Sequence, residues 1–349
     1  MENILIKSRL GHVPRRARSF ADSLPRTSER LIRAVPTQAP RARSAKVSVL
    51  LCTYDGQRYL ADQLQSIASQ EHKDWKLWVS DDASRDDTHK IVDAFQRELG
   101  KGRVALLRGP TRGFAANFLS LACKPEVASD YYAYSDQDDI WEPDKLHRAV
   151  DWLKTVPRDT PALYCSRTRL VDSSNRHIGF SPLFSKQPSF ANAIVQNIGG
   201  GNTMVFNEAA RRLLCEAGND ITVVSHDWWA YIVVTGCGGE VFYDARPSVR
   251  YRQHGDNLVG RNTGFKARLT RLTMLWQGRF RNWHDLNIHA LQRLRSELTP
   301  ENRKVLDTFA AARNAGLADR LIGLLRSGVY RQTLAGNVGL VFAAIFKKM

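Results

Sequence analysis

The sequence predicts an α/β protein with a mostly parallel β-sheet flanked by helices and a helical C-terminal extension. Strand-like and helix-like segments alternate from residue 46 to residue 153, and clusters of polar residues follow the strands. Apolar residues make up 43% of the 349 residues, which is enough for a sizeable core. Alternation at this spacing indicates βαβ units, in which the strands run parallel.

Four strand–helix units account for the first part of the sheet. KVSVLLCTY (46–54) is a continuous apolar run ending in turn residues, as expected of a buried parallel strand. The following helix, at 59–70, places Leu60, Leu64 and Ile67 on one face. Further strands are predicted at 75–84, 103–109 and 131–139, with helices at 86–99, 114–123 and 142–153.

The second half has strands without strict alternation. Strand-like segments lie at 161–171, 198–207 and 240–257, and helices are predicted at 207–218, 226–236 and across 265–330. Composition and hydrophobic periodicity divide the chain into a disordered basic arm (1–45), an α/β domain (46–260) and a helical basic extension (261–349).

The net charge of +16 is carried by the two ends of the chain. Residues 1–45 contain 10 Lys and Arg against 3 Asp and Glu, and residues 261–349 contain 16 against 5. The central region, with 25 against 27, is slightly acidic. Nucleic-acid-binding domains usually carry their basic stripe on the folded domain, so we expect no nucleic-acid partner. Basic flanks favour an enzyme held at an anionic membrane surface.

Two further features concern the compartment. The longest apolar runs are shorter than 18 residues, so no membrane-spanning helix is predicted. Five scattered cysteines without a CxxC motif indicate a reducing compartment. We therefore expect a cytoplasmic protein that associates peripherally with the inner face of the cytoplasmic membrane.

Polar residues end three of the predicted parallel strands: Thr53 to Asp55, Asp81 with Asp82, and Asp136 to Asp139. Open parallel sheets bind ligands at the carboxyl ends of their strands. Walker-A and GxGxxG motifs are absent, which argues against P-loop and dinucleotide sites. The sequence therefore predicts a nucleotide-type pocket ringed by acids.

Each candidate residue also has a structural interpretation. Asp136 and Asp138 can share a divalent cation, or they can form a solvated acidic turn. Asp81 and Asp82 can accept hydrogen bonds from a base or ribose, or cap the next helix. Arg112 can reach a phosphate or a base, or belong to a plain turn.

Two candidates lie in the second half of the domain. Asp227, at the start of an aromatic-rich helix, suits a general base or an acid that interacts with the helix dipole. His254, in a glycine-containing turn, suits a metal or phosphate ligand, although a single histidine is more often structural.

Taken in order, these segments resemble the family 2 glycosyltransferases with the GT-A fold, especially bacterial rhamnosyltransferase-like members. The resemblance covers about residues 46–260 and rests on VSVLLCTYDGQRYLADQLQSI, VSDDASRDDT, RGFAANF, YSDQDDIW, GGGNTMVFN, HDWW and RQHGDNLVG. It implies that Cys52, Thr53 and Tyr54 line a nucleotide pocket. It also implies that Asp81 and Asp82 read the pyrimidine and ribose, and that Arg112 contacts the base or phosphate.

The same resemblance implies a metal site and a catalytic base. Asp136-Gln137-Asp138 matches the family's DxD element, with Asp138 as the direct ligand of Mg²⁺ or Mn²⁺, Asp139 as a further candidate and His254 as an additional ligand. Asp227 takes the place of the base, although His226 stands where the family usually has glutamate. The residues expected to shape the sugar and acceptor sites are Trp141, Asn202 and Trp228, the last alternatively a core residue.

The implied reaction is a metal-dependent, inverting transfer of a sugar from a nucleotide-diphosphate donor to a hydroxyl of a surface glycan, in a lipid-linked form. The donor is dTDP-rhamnose, with a UDP-hexose as the alternative. The QxxRW motif of processive synthases is absent, which favours single addition. A non-catalytic nucleotide- or nucleic-acid-binding protein is the alternative from another class.

Two segments of the C-terminal extension suit a membrane interface. Residues 265–283 combine an apolar stripe with arginines, and residues 333–346 form an apolar stretch too short to span a bilayer. Alternatively, both pack on the catalytic domain or pair between subunits of a homo-oligomer.

Overall fold

The structure is a computed structural model, which describes residues 44–100, 102–254 and 278–349. All of these residues belong to one unit, Ser44–Met349. The predicted basic arm, the turn that follows His254 and most of the 265–283 segment lie outside the described residues.

The strands and helices of the described residues follow the predicted order, with most ends within a few residues of the prediction. The strands are β1 (Val47–Thr53), β2 (Trp75–Asp81), β3 (Val104–Arg108), β4 (Tyr131–Ser135), β5 (Ile140–Trp141), β6 (Ala162–Val171), β7 (His177–Phe180), β8 (Val205–Asn207) and β9 (Glu240–Arg252). The helices are α1 (Leu60–Ala68), α2 (Thr88–Leu99), α3 (Phe114–Ala122), α4 (Lys145–Leu153), α5 (Phe190–Ala193), α6 (Glu208–Glu216), α7 (His226–Gly236), α8 (Arg279–Leu291), α9 (Pro300–Asn314), α10 (Leu317–Ser327) and α11 (Leu334–Ile345).

One mixed sheet runs through the molecule in the order β3-β2-β1-β4-β8-β6-β9-β5, and β7 pairs with β6. The neighbours among β3, β2, β1 and β4 are parallel, as the alternation predicts. Beyond β4 the sheet is mixed, because β8 runs antiparallel to both β4 and β6, whereas β6 and β9 are parallel.

The mixed half of the sheet brings two chain segments to the carboxyl end of β4. Since β8 is antiparallel to β4, the residues that precede β8 lie beside the end of β4, and Tyr134 N donates to Met204 O at 3.2 Å. Strand β9 is antiparallel to β5, and its last residues therefore lie beside the loop that joins β4 to β5. This topology positions the candidate site.

Hydrophobic clusters cover both faces of the sheet. On one face α1 buries Leu60, Leu64 and Ile67, as its periodicity predicts. On the other face α7 is buried around almost its whole circumference, with Trp229 and Tyr231 fully buried. A helix that is apolar all round belongs in a core, so the start of α7 is held rigidly.

The C-terminal helices pack against the same core. Arg320 is buried and donates to the carbonyls of Ala315 and Ala344, both at 2.7 Å, which ties the start of α10 to the end of α11. Gln332 N donates to Gln196 Oε1 at 2.8 Å, which joins the extension to the catalytic region. Among the described helices, none has the length and apolar character needed to cross a membrane.

A buried lysine opens α4. Lys145 is fully buried, and its Nζ lies 3.9 Å from the centroid of the Trp141 ring without a hydrogen-bond partner among the described residues. Burial lowers the pKa of Lys145 to about 7. Desolvation of this ammonium therefore opposes folding at neutral pH.

We expect Lys145→Met to raise the free energy of unfolding by about 1–3 kcal/mol at pH 7, the usual cost of an unpaired buried polar group. The folded pKa of about 7 lies below the unfolded value, which is about 10.4. The native protein should therefore become more stable relative to the variant as the pH rises from 7 to 10. Urea denaturation at both pH values measures the two effects.

Lys154→Met is the matched control, because Lys154 lies directly after the same helix and 54% of its side chain is exposed. It should change stability little. If Lys145→Met is no more stable than the native protein at pH 7, the cation–π contact with Trp141 outweighs the desolvation cost.

Candidate active site

The candidate site lies at the carboxyl edge of the parallel strands. The ends of β1, β2 and β4, the turn before β8, the end of β9 and the start of α7 are linked there by side-chain hydrogen bonds. The ends of β1, β2 and β4 meet there because these strands are parallel. The mixed half of the sheet brings in the turn before β8 and the end of β9, and the start of α7 bonds to that turn. The acids therefore meet at the edge that the strand directions predict, and a nucleotide pocket there stays a prediction.

Gln137 joins the ends of β1 and β4. Its side-chain amide accepts from Tyr54 N and donates to Tyr54 O, both at 2.9 Å. Gly56 leaves room for it, because a Cβ there would lie 2.4 Å from Gln137 Oε1. The middle residue of the DQD motif thus ties the loop after β4 to the end of β1, a role that the spacing of the flanking acids does not reveal.

The three residues proposed to line the pocket from β1 differ in exposure. Cys52 is buried, and burial is the largest cause that raises its pKa well above the usual value. Thr53 is also buried and donates to Asp81 Oδ1 at 2.8 Å. Tyr54 is 59% exposed, so among the three its side chain is the one most open to a ligand.

Asp81 is occupied by contacts within the protein. Its carboxylate accepts from Thr53 Oγ1, from the backbone N and Oγ of Ser84, and from His89 Nε2, at distances of 2.5–2.9 Å. Burial opposes the charge, but the hydrogen bonds from Ser84, Thr53 and His89 lower the pKa of Asp81. A carboxylate has about four acceptor positions, so Asp81 stabilises the β2–α2 loop in this structure, which differs from the expected contact with base or ribose.

Asp82 keeps accepting capacity but also shapes the pocket wall. It accepts from Thr111 N at 2.6 Å and from Gly113 N at 3.1 Å, and thereby fixes the turn that carries Arg112. Arg112 is exposed and donates to Asn219 O at 3.2 Å. Asp82, which follows β2, therefore holds the turn after β3 that carries the exposed Arg112.

Unusual backbone conformations mark the same edge. Asp55, Ala83 and Thr111 have positive φ values of 47°, 74° and 56°, and they follow β1, β2 and β3 respectively. Positive φ is uncommon for residues other than glycine and is concentrated at functional sites. Local hydrogen bonds, including Arg85 N to Asp55 Oδ1 at 2.7 Å, hold these turns in place.

Three carboxylates stand together beyond β4. Burial, together with the negative charges of Asp138 and Asp227, raises the pKa of Asp136 to about 8. Mutual repulsion among acids is relieved when a cation binds. The cluster of Asp136, Asp138 and Asp227 therefore has the electrostatic character of a cation site.

The end of β9 holds Asp138 in position. His254 Nε2 lies 2.8 Å from Asp138 Oδ2, and the ring of His254 packs against Tyr59 with centroids 5.0 Å apart. Arg252 Nε donates to the Asp138 carbonyl at 3.0 Å. The sequence thus correctly groups Asp138 with His254, although 116 residues separate them.

Arg252 is a functional residue that sequence reasoning missed. Its side chain is 3% exposed, donates to Ser173 O at 3.0 Å and to Asp62 Oδ2 at 2.9 Å, and lies over the ring of Tyr59. The sequence shows this arginine in RQHGDN, but its contacts come from three separate segments: the start of α1, the loop after β4, and Ser173. No local pattern in the sequence reveals them.

Asp139 and Asn202 form a buried layer beneath the acidic cluster. Asp139 is fully buried, accepts from the Asn202 side-chain amide, and accepts from Arg252 N at 3.0 Å. Because its oxygens face the protein interior, Asp139 is a structural residue, and its candidacy as a metal ligand was wrong. Asn202 is 2% exposed, and its side-chain amide supports the loop after β4 through Asp139.

Both tryptophans expected in the acceptor pocket are core residues. Trp141 is 2% exposed, and its indole nitrogen lies 3.1 Å from the oxygen of the Gln63 side chain when that amide donates to Asp139 O. Trp228 is 6% exposed and donates to Ala193 O at 2.6 Å. Their polar groups are satisfied inside the protein, so the structural interpretation holds for both rings.

Asp227 is partly exposed and held by two backbone groups. Trp228 N donates to Oδ1 at 2.7 Å, and Gly201 N donates to Oδ2 at 3.1 Å. Each oxygen keeps an acceptor position for a further hydrogen bond. Asp227 is therefore both fixed in orientation and able to accept a proton from a ligand.

His226 points away from Asp227 into an aromatic cluster. Its ring stacks on Phe118 with centroids 3.8 Å apart and contacts the edge of Tyr134 at 4.7 Å. Burial lowers the pKa of His226 to about 4, so the ring is neutral at pH 7. A Cβ on Gly201 would lie 2.3 Å from His226 Nε2. His226 therefore serves as a support beneath the Gly201 turn.

The side chains of this site supply only part of the coordination shell of a divalent cation. Among the described residues, no group of three or more His, Cys, Asp or Glu side chains is arranged around one point. The adjacent oxygen and nitrogen donors of Asp138 and His254 suit Mn²⁺ or Mg²⁺. The remaining positions would have to come from water and a bound anion.

The chain matches known proteins across this region. The family model described as Glycosyl transferase family 2 matches residues 48–214. The dTDP-rhamnosyl transferase RfbG of Shigella flexneri is 29% identical over 237 residues, which are 64% of this chain and 78% of RfbG. The uncharacterized glycosyltransferase alr2836 of Nostoc sp. is 31% identical over 111 residues, 32% of this chain and 33% of that protein.

A solved structure supports the same fold. S. aureus TarS 1–349, crystallised in complex with UDP-GlcNAc, superposes with a TM-score of 0.51 and 14% sequence identity. The match covers 82% of this chain and 93% of that structure. The ordered motifs, the sheet topology and these matches agree: residues 48–214 are similar to glycosyltransferase family 2, and the chain has the GT-A fold.

Proposed function

We propose that this protein is an inverting, metal-dependent glycosyltransferase that moves a sugar from a nucleotide-diphosphate donor to an acceptor hydroxyl. The observation that carries the proposal is the arrangement of Asp227 beside Asp136 and the Asp138–His254 pair, at the carboxyl edge of β1, β2 and β4. A non-catalytic nucleotide-binding protein would have no use for a partly exposed carboxylate held in one orientation.

We propose dTDP-rhamnose as the donor. Support comes from the likeness to RfbG, which extends over 64% of this chain. The exposed ring of Tyr54, the Asp82 carboxylate and the Arg112 side chain surround the nucleotide edge and would contact the base, ribose or phosphates. A UDP-hexose is the competing donor and an outcome of the experiment below.

Asp138 and His254 would hold Mg²⁺ or Mn²⁺, with Asp136 adding negative charge. A bound cation would stabilise, as a Lewis acid, the negative charge that develops on the departing diphosphate. Arg252 positions the chain for this task, because it bonds the carbonyl of Asp138 and leaves the carboxylate facing His254.

Asp227 would act as the general base. The acceptor hydroxyl attacks the anomeric carbon from the face opposite the diphosphate, and its proton passes to a carboxylate oxygen of Asp227. One such displacement inverts the configuration. The backbone bonds from Gly201 and Trp228 keep the carboxylate in one orientation through this step.

We propose a lipid-linked surface glycan as acceptor, at the cytoplasmic face of the membrane. The basic flanks of the chain support this location: residues 261–349 contain 16 Lys and Arg against 5 Asp and Glu. A membrane-bound acceptor and a peripheral enzyme would meet in two dimensions, which raises their effective concentration.

The metal site predicts a dependence on divalent cations. EDTA should abolish turnover, and Mn²⁺ or Mg²⁺ should restore it. Asp138→Asn should raise the Mn²⁺ concentration for half-maximal activity about ten-fold or more, because it removes a charged ligand. Asp93→Asn, an exposed position on α2, is the control. Full activity in EDTA, or an unchanged Mn²⁺ requirement in Asp138→Asn, would contradict the assignment.

The base assignment separates turnover from binding. Asp227→Asn should lower turnover by about 10²–10⁴-fold and leave the donor-induced shift in melting temperature nearly unchanged. We would measure both with Mn²⁺ present, using dTDP-rhamnose, UDP-glucose and UDP-GlcNAc. A larger shift and faster turnover with a UDP-sugar would overturn the rhamnosyl proposal. A loss of donor binding in Asp227→Asn would make Asp227 a binding residue.

The contact between Gly201 and His226 predicts a steric effect on the base. Gly201→Ala should lower turnover about ten- to hundred-fold, because Asp227 loses its orienting N–H when the turn shifts. Adding His226→Ala should restore part of this loss by removing the ring that the new Cβ meets. Gly102→Ala is the control, since a Cβ there meets nothing within 4 Å. An active single variant would show that the turn is free to move.

A further inference from the structure

The last helix, α11, carries an apolar stripe that the fold leaves uncovered among the described residues. Leu334, Val338, Val341, Phe342 and Ile345 are between 40% and 81% exposed. Their spacing of i, i+4, i+7, i+8 and i+11 places them on one helix face. We call this set the α11 stripe.

The opposite face of α11 packs against the core of the protein. Leu340, Ala343 and Ala344 are buried in the main hydrophobic cluster, and the Ala344 carbonyl accepts from buried Arg320. The α11 stripe is therefore not needed for packing within the described part of the chain. Large apolar side chains concentrated on one exposed face mark an interaction surface.

The charges near the stripe are mostly positive. Residues 317–349, which include α10 and α11, contain five Lys and Arg against one acid, Asp319. Arg326 and Lys347 are exposed, and both lie close in sequence to the helix and its partner α10. An apolar face flanked by cations is complementary to an anionic lipid surface, into whose headgroup region such a helix inserts.

The same charges disfavour protein occupants from this chain. A second copy would bring another net positive surface to the same place. Residues 1–43 contain 10 Lys and Arg against 3 Asp and Glu, and residues 255–277 contain four against one, so both segments are also net positive. Charge complementarity therefore selects the membrane.

We propose that the α11 stripe docks the protein on an anionic membrane, with its apolar side chains in the headgroup region and Arg326, Lys347 and Lys348 on the lipid charges. This docking proposal rests on the proposed function in one respect, because the proposed acceptor is carried by the same membrane. The surface itself is independent of the donor chemistry.

The test is co-sedimentation of the full-length protein with phosphatidylcholine vesicles that contain phosphatidylglycerol or lack it, at low and high salt. We expect binding to the anionic vesicles that weakens with salt. Leu334→Ser/Val338→Ser/Phe342→Ser should weaken it at least ten-fold. Phe180→Ser/Leu183→Ser removes two exposed apolar side chains elsewhere and should leave binding unchanged.

A second readout separates this proposal from catalysis and from misfolding. The triple variant should keep the melting temperature and the donor-induced shift of the native protein, because its substitutions lie on an exposed face. Native binding by the triple variant, or no binding of the native protein at low salt, would overturn the proposal. So would a dimer in solution that the triple variant converts to a monomer. If the native protein binds none of the nucleotide sugars, that result contradicts the proposed function and leaves the membrane proposal unaffected.

Discussion

The structure of the candidate site depends on the contacts of Arg252 at the end of β9. Its guanidinium is almost completely buried, and it bonds the Asp138 carbonyl, the Ser173 carbonyl and the Asp62 carboxylate. A charge buried to this degree is stable only when its donors are satisfied. The hydrogen bonds of Arg252 therefore hold the end of β9 against the loop after β4, and this contact places His254 beside Asp138.

The site combines aspartates whose hydrogen bonds hold the loops in place with aspartates that remain open to a ligand. Asp81 and Asp139 are surrounded by donors and fix the loops on which they lie. Asp227 accepts two backbone hydrogen bonds but is partly exposed, and burial together with neighbouring negative charge raises the pKa of Asp136. Acids of the first kind make the pocket rigid, whereas those of the second kind keep free capacity for a cation or a proton. This division could not be inferred from four aspartates that look alike in the sequence.

The support for Asp227 also differs from the pattern implied by the family resemblance. His226 replaces the usual glutamate, and its neutral ring is stacked on Phe118 under the Gly201 turn. A carboxylate in this aromatic surrounding would be costly to bury. The imidazole gives the turn a firm base without adding a further negative charge beside Asp136 and Asp227, so the departure is compatible with the same chemistry.

The sequence by itself determined the first four parallel strands and the edge at which the acids meet, because strand direction follows from βαβ spacing. The family resemblance, and not a local pattern, grouped Asp138 with His254. Only the tertiary structure decided that β8 and β6 run antiparallel, that Trp141 and Trp228 face the core, and that Asp139 points inward. Those features depend on which surfaces pack together across long separations. The outward face of α11 is of the same kind, since an apolar helix pattern does not say which of its sides the core will cover.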